Sequence, residues 1–179
     1  MILIRDMVTK SYLYKILVAG EGGVGKTTLL YRYIKEEFLK DTEMTIGLDF
    51  FSKNIKVDGL DITLQFWDFG GQDRFQFLHD YYAKGASGAI LMFDLRRMST
   101  LENLDFWVDI CRKENSDLPI LFDGAKSDLV DEMVISEEYI KNLVEKYNFC
   151  DYMKVSSKTG ENVNEVFNIL IKYIHKIIM

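Results

Sequence analysis

Hydrophobic residues alternate weakly from residue 13 to 19, give way to a glycine-rich segment, and return with a helical period at Leu29, Leu30, Tyr33 and Ile34. That order predicts strand, glycine loop, helix, the opening of a βαβ unit. The polar stretch 39–44 has no period and reads as a loop. Residues 48–57 and 60–67 read as two strands turned at Asp58-Gly59, a hairpin. Continuous apolar runs at 88–93 and 119–122 suit strands buried on both faces, and 152–155 gives a last strand. Three further helices are predicted. One starts at a capping box, Ser99-Thr100-Leu101-Glu102, and carries Leu101, Leu104, Trp107, Val108 and Cys111. A second begins at Ser136 with Ile135 and Ile140 as a hydrophobic staple. The third is capped by 162–165 and carries Val163, Val166, Phe167, Leu170, Ile174 and Ile177. The expected fold is a three-layer α/β/α sandwich. Its six-stranded sheet is mostly parallel, because helix-length segments separate the later strands, with one antiparallel edge strand from the hairpin.

Composition narrows the function more than the fold. A chain of 179 residues, 48% hydrophobic, fits one domain with a real core, with 1–12 as an amino-terminal extension. The net charge of −6 offers no footprint for a nucleic-acid polyanion, so no nucleic-acid partner is expected. Cys111, Cys150, His79 and His175 lie far apart without metal-ligand spacing, and the cysteines read as packing residues of a reducing compartment. The apolar stretches are strand-sized and interrupted by charge, and neither a signal peptide nor a lipidation signal is legible. A cytoplasmic protein that meets a membrane only indirectly, through partners, if at all, is expected.

The chemistry concentrates at Gly20-Glu21-Gly22-Gly23-Val24-Gly25-Lys26-Thr27, followed by Thr28. Four glycines let the backbone turn and aim several N–H groups into one concavity, where an anion replaces water. Two patterns overlap. G-x-G-x-x-G at Gly20, Gly22 and Gly25 is a dinucleotide fingerprint, for which Asp41 or Glu43 would be the ribose-binding acid. G-x-x-x-x-G-K-[ST] from Gly20 to Thr27 is a triphosphate loop in which the Lys26 ammonium reaches the outer phosphates and the Thr27 hydroxyl coordinates magnesium. The Lys-Thr pair favours the triphosphate.

Other strand ends add to it. Asp68 emerges from an apolar strand and is placed to hold magnesium through water; Gly71 supplies an N–H without a side chain in the way, and Gln72 is a neutral amide able to orient water. Thr45 offers a second hydroxyl to the metal. In Gly124-Ala125-Lys126-Ser127-Asp128, the Asp128 carboxylate can accept two hydrogen bonds from the N–H pair of guanine. The stem of Lys126 can lie along the base, and Phe38 can stack on its other face. Ser156, Ser157 and Lys158 complete a base pocket with a backbone N–H and a cation.

Together these residues, from about Tyr14 to Ile178, resemble the Ras superfamily of small GTPases, and most the Rab-like branch. The signature stretches are 20–27, Thr45-Ile-Gly-Leu-Asp-Phe50, Gln65-Phe-Trp-Asp68 through Gln72, and 156–158. The resemblance implies a Mg2+-dependent GTP/GDP switch: two loops held by the terminal phosphate and the metal, relaxing on hydrolysis. Gln72 would orient the water, Lys26 and the metal would neutralise charge, and Gly22 would leave room for an activating protein's arginine. Intrinsic turnover would be slow, with activating protein, exchange factor and effector as partners. Three departures stand out: Ala125 where the base motif begins with asparagine, Phe69-Gly70 where the family usually has Thr-Ala, and no prenylated cysteine tail. Two other readings stay open, a guanine-nucleotide scaffold with negligible hydrolysis and another P-loop enzyme such as a nucleoside kinase or ATPase.

Overall fold

The computed structural model describes residues 11–40, 45–70 and 81–178. Strands β1 (Ser11–Ala19), β2 (Leu48–Val57), β3 (Leu60–Phe69), β4 (Gly88–Asp94), β5 (Ile120–Ala125) and β6 (Asp151–Val155) form one sheet in the order β2-β3-β1-β4-β5-β6. Among the described residues only β2 and β3 pair antiparallel, through the turn at Asp58-Gly59; β1 lies parallel between β3 and β4, and β5 and β6 continue parallel. The mostly parallel sheet with one antiparallel edge is thus the one the hydrophobic pattern predicts.

Helices α1 (Lys26–Lys35), α2 (Leu104–Arg112), α3 (Glu137–Tyr147) and α4 (Val163–Ile178) cover the two faces. Alternation along β1 divides the core: Ile16 and Val18 pack with Leu29, Leu30 and Tyr33 of α1 and Val166, Phe167 and Leu170 of α4. Leu17 and Ala19 face the other way, with Trp107 of α2 and Leu143 of α3. The Tyr33 and Phe167 rings stack at 3.7 Å between centroids, with Phe66 edge-on to both, so the first and last helices are tied to each other and to β3.

Several boundaries differ from the sequence expectation. β1 begins at Ser11 rather than 13, and β3 continues through Asp68 and Phe69, because Asp49 and Leu48 of the hairpin still pair with them. β5 runs on to Ala125 because Gly124 and Ala125 are held on both sides, by Phe93 and Asp94 and by Lys154 and Val155. The expected capping box at Ser99 is not a cap. Thr100 Oγ1 donates to Arg97 O (2.7 Å) and accepts from Asp94 N (3.1 Å), which fastens a single 3-10 turn, Met98–Leu101, to the end of β4. The α-helix starts only after Asn103. At Ser136 the cap forms: its Oγ accepts from Tyr139 N at 3.2 Å, and Ile135 and Ile140 are buried together. Asn162 starts α4 through its carbonyl, which accepts from Val166 N, while its side chain turns away to donate to Lys154 O. Ile177, placed on the apolar stripe by its spacing, is 61% exposed.

Candidate functional site

The carboxyl ends of β1, β5 and β6 meet the start of α1 around a cavity of about 320 Å3. Gly22, Gly23, Val24, Gly25, Lys26, Thr27 and Thr28 line one end; Ala125, Lys126, Asp128, Ser157 and Lys158 line the other, with Phe38 and Thr45 at the side. A cavity of this size, phosphate-loop residues at one pole and a carboxylate at the other, has the dimensions of a small-molecule site. Gly20 and Ser156 support it from outside the lining. At Gly20 a side chain would collide with the Met92 carbonyl, so only glycine lets the loop leave β1 so close to β4. Gly71 and Gln72, like Asp41, Glu43 and the extension up to residue 10, lie outside the described residues.

At the phosphate end the Lys26 ammonium is buried and donates to the Gly20 and Glu21 carbonyls at 2.6 and 2.8 Å. Burial lowers its pKa to about 8, opposed by the charges of Asp68 and Glu21. Next to it a hydroxyl pair and a carboxylate converge. Thr27 Oγ1 donates to Asp68 Oδ2 at 2.5 Å and lies 2.7 Å from Thr45 Oγ1, which is itself 3.4 Å from the same oxygen. Burial pushes the Asp68 carboxyl up to about 6, against the hydrogen bond from Thr27 and the charge of Lys26. Its second oxygen, Oδ1, is buried with no hydrogen-bond partner among the described residues. Two hydroxyl oxygens beside a carboxylate with a spare lone pair are hard donors that fit a magnesium ion.

At the other end Asp128 is oriented by Ser156, whose buried hydroxyl donates to Oδ1 at 2.6 Å; Lys158 Nζ lies 3.9 Å from Oδ2. Ser156 Oγ is held in turn by Thr159 N. The carboxylate that would read a base is therefore pre-oriented. Ala125 places only a methyl at the junction of the two poles. The bridge is made elsewhere: Lys126 Nζ donates to Gly23 O at 3.0 Å and Arg97 Nη2 to Gly22 O at 3.3 Å, and both cations meet Asp94 Oδ2, at 2.8 and 3.1 Å. Burial would raise the Asp94 pKa, but hydrogen bonds from Arg96 and Lys126 outweigh it and hold the carboxyl well below the usual range. Glu21 ties the loop to α2, its Oε1 accepting from Asn103 Nδ2 and Trp107 Nε1, each at 3.0 Å.

Sequence reasoning missed Asp94, Arg97 and Glu21, and the lining residues Leu39, Lys40 and Leu129. A usable signal existed for the first two: Asp94-Leu-Arg-Arg97 puts three charges directly after a continuous apolar strand.

The sequence profile of the Ras family matches residues 15–176. The chain belongs to the Ras family. It is 34% identical over 167 residues to the Ras-related protein RABA1b of Arabidopsis thaliana, covering 93% of this chain and 77% of that protein. The Ras-related protein RGP2 of Oryza sativa subsp. japonica is 33% identical over 169 residues, 94% of this chain and 77% of its own length. RABA6b of Arabidopsis thaliana is 35% identical over 168 residues, 93% of this chain and 73% of that protein. Membership makes the chain a small GTPase at the family level and brings guanine nucleotides, regulators and effectors with it as a class. No helix among the described residues is long and apolar enough to cross a membrane.

Proposed function

We propose that this Ras-family chain is a Mg2+-dependent GTP/GDP switch that hydrolyses GTP slowly by itself and faster with an activating protein. One observation carries the reading: a single cavity joins the buried Lys26 and the Thr27 and Thr45 hydroxyls, behind which Asp68 is bonded, to an Asp128 carboxylate pre-oriented by Ser156. In this reading the N–H groups of residues 22–28 and the Lys26 ammonium bind the phosphates. An anion there restores to Lys26 the charge stabilisation that burial removes. Thr27 and Thr45 hold the metal, and Asp68 orients its shell; the ion itself supplies charge neutralisation at the phosphates. Asp128 accepts from the guanine N–H pair, with Lys126 and Phe38 against the faces of the base and Ser157 and Lys158 at its carbonyl edge. Gly71 and Gln72 keep the tasks of approaching the terminal phosphate and orienting water.

The Thr45 loop would carry the nucleotide state to an effector, and beside it Ile46 and Phe50 are 67% and 48% exposed. Exchange factor, activating protein and effector are the partners proposed.

Competition binding tests the pocket: GTP and GDP displace a labelled guanine nucleotide and ATP does not, while Asp128→Asn shifts preference to xanthine nucleotides. Equal ATP affinity would sink the base assignment. Single-turnover phosphate release tests the chemistry. The isolated chain is expected to be slow, with about three to five orders of magnitude left for a partner to supply, and Gln72→Leu to be slower still. If Gln72→Leu leaves release at the wild-type level, the chain is a nucleotide-binding scaffold rather than a timer.

A further inference from the structure

The loop that carries Thr45 meets the residue after β3 through backbone atoms. The antiparallel ladder of β2 and β3 ends with Leu48 opposite Phe69, and one step further Gly70 N donates to Gly47 O at 2.8 Å. A Cβ built on Gly70 would stand 2.5 Å from Thr45 O, 2.9 Å from Gly47 O and 3.0 Å from Gly47 N. All three are main-chain atoms, so no side-chain rotation relieves the overlap; the 45–47 backbone would have to lift away. The approach therefore exists only because residue 70 is glycine, at the position where the family usually has alanine. It also fixes where the threonine hydroxyl falls: with the loop seated, Thr45 Oγ1 lies 2.7 Å from Thr27 Oγ1 and 3.4 Å from Asp68 Oδ2.

We propose that Gly70 is a positioning residue that seats the 45–47 loop against β3 and holds Thr45 at the metal cluster in both nucleotide states. A nucleotide switch distinguishes its states by how firmly such a loop is held, and a ligand shifts that equilibrium only by its differential interaction with the two positions. The contact at Gly70 involves no phosphate, so it favours the inward position with GDP as well as with GTP. The contrast between the two states is narrowed, and the metal is held more firmly in the GDP form than an alanine here would allow. What the seated loop does rests on the switch reading above; the seating itself does not.

Amide hydrogen exchange resolved by NMR tests it, in chains carrying Mg2+ with GDP or with a non-hydrolysable GTP analogue. In the wild type the Gly70 amide is expected to be protected in both states to within about threefold. In Gly70→Ala, the amides of Ile46, Gly47 and residue 70 are expected to exchange on the order of tenfold faster or more with GDP, and the Mg2+ concentration that suppresses nucleotide release to rise several-fold. Protection of the β1 and β4 amides checks that the variant is folded. Wild-type exchange rates and Mg2+ dependence in a folded Gly70→Ala would overturn the proposal. So would a wild-type Gly70 amide that is protected only with the GTP analogue, a comparison that decides by itself if the variant does not fold. If the chain takes up neither guanine nucleotide, the switch reading fails, and the seating is judged on the same amides of the unloaded wild type and variant.

Discussion

Asp94 does not itself line the cavity, yet it gathers the two cations that tie the cavity's poles together. Its Oδ2 receives Arg97 and Lys126, and those two cations end on the carbonyls of Gly22 and Gly23. Where Ala125 cannot reach across with an amide, this carboxylate gathers the reach from two longer side chains. Asp94→Asn would leave both cations with a neutral acceptor, and charge-assisted bonds are roughly twice as strong as neutral ones. Release of bound guanine nucleotide is expected to speed up about three- to tenfold, equivalent to ~1 kcal/mol, with Asp128-dependent base preference unchanged. A stopped-flow release rate equal to wild type would show that the phosphate loop holds its shape without Asp94. Of the residues concerned, Lys126 and Asp128 were readable as a motif. For Arg97 the sequence offered only a charge after an apolar strand, and its partner on the loop depends on the 3-10 turn that follows β4.

Two serines of similar local sequence show what happens at the scale of the element. Ser99 and Ser136 each precede a helical run, and both carry a glutamate close behind. Ser136 caps α3, accepting from Tyr139 N. Near Ser99 the neighbouring Thr100 hydroxyl is bonded instead to the β4 end and to Arg97 O, so the chain spends a 3-10 turn before α2 can start. Ser136→Ala is expected to lower stability by about 1 kcal/mol, as loss of an N-cap does, and Ser99→Ala to change it by less than about 0.5 kcal/mol. Denaturant unfolding of the two variants checks this; equal losses would contradict the assignment. A propensity rule cannot choose between these serines, since the deciding partner of Thr100 is a strand end six residues earlier in the chain.

For the whole molecule the sheet interior holds a group that works against stability. Asp123 is fully buried in β5, between Met92 and Met153 in register, and neither carboxyl oxygen has a hydrogen-bond partner among the described residues. Burial disfavours the charged form and raises its pKa well above the ordinary value. The folded chain therefore keeps a proton that the unfolded chain releases. Its stability is fullest below the ordinary carboxylate range and falls as pH rises from there toward the folded-state value. Asp123→Val is expected to stabilise the fold by about 1–3 kcal/mol near neutral pH and to flatten that part of the pH profile, as read by thermal unfolding; a lower melting temperature would mean the carboxyl has a partner. The strands, helices α1 to α4 and the antiparallel edge were legible in the described residues taken in order, and the residues of the phosphate-loop and base stretches were readable as motifs, because side-chain period and motif spacing are properties of consecutive residues. Only the tertiary structure decided that Arg97 and Asp94 bridge the poles, that the Thr45 loop sits on Gly70, and that Asp123 lies without a partner in the core. Each of these depends on which strand ends lie side by side, and the order β2-β3-β1-β4-β5-β6 joins residues far apart in the chain through contacts that no local pattern records.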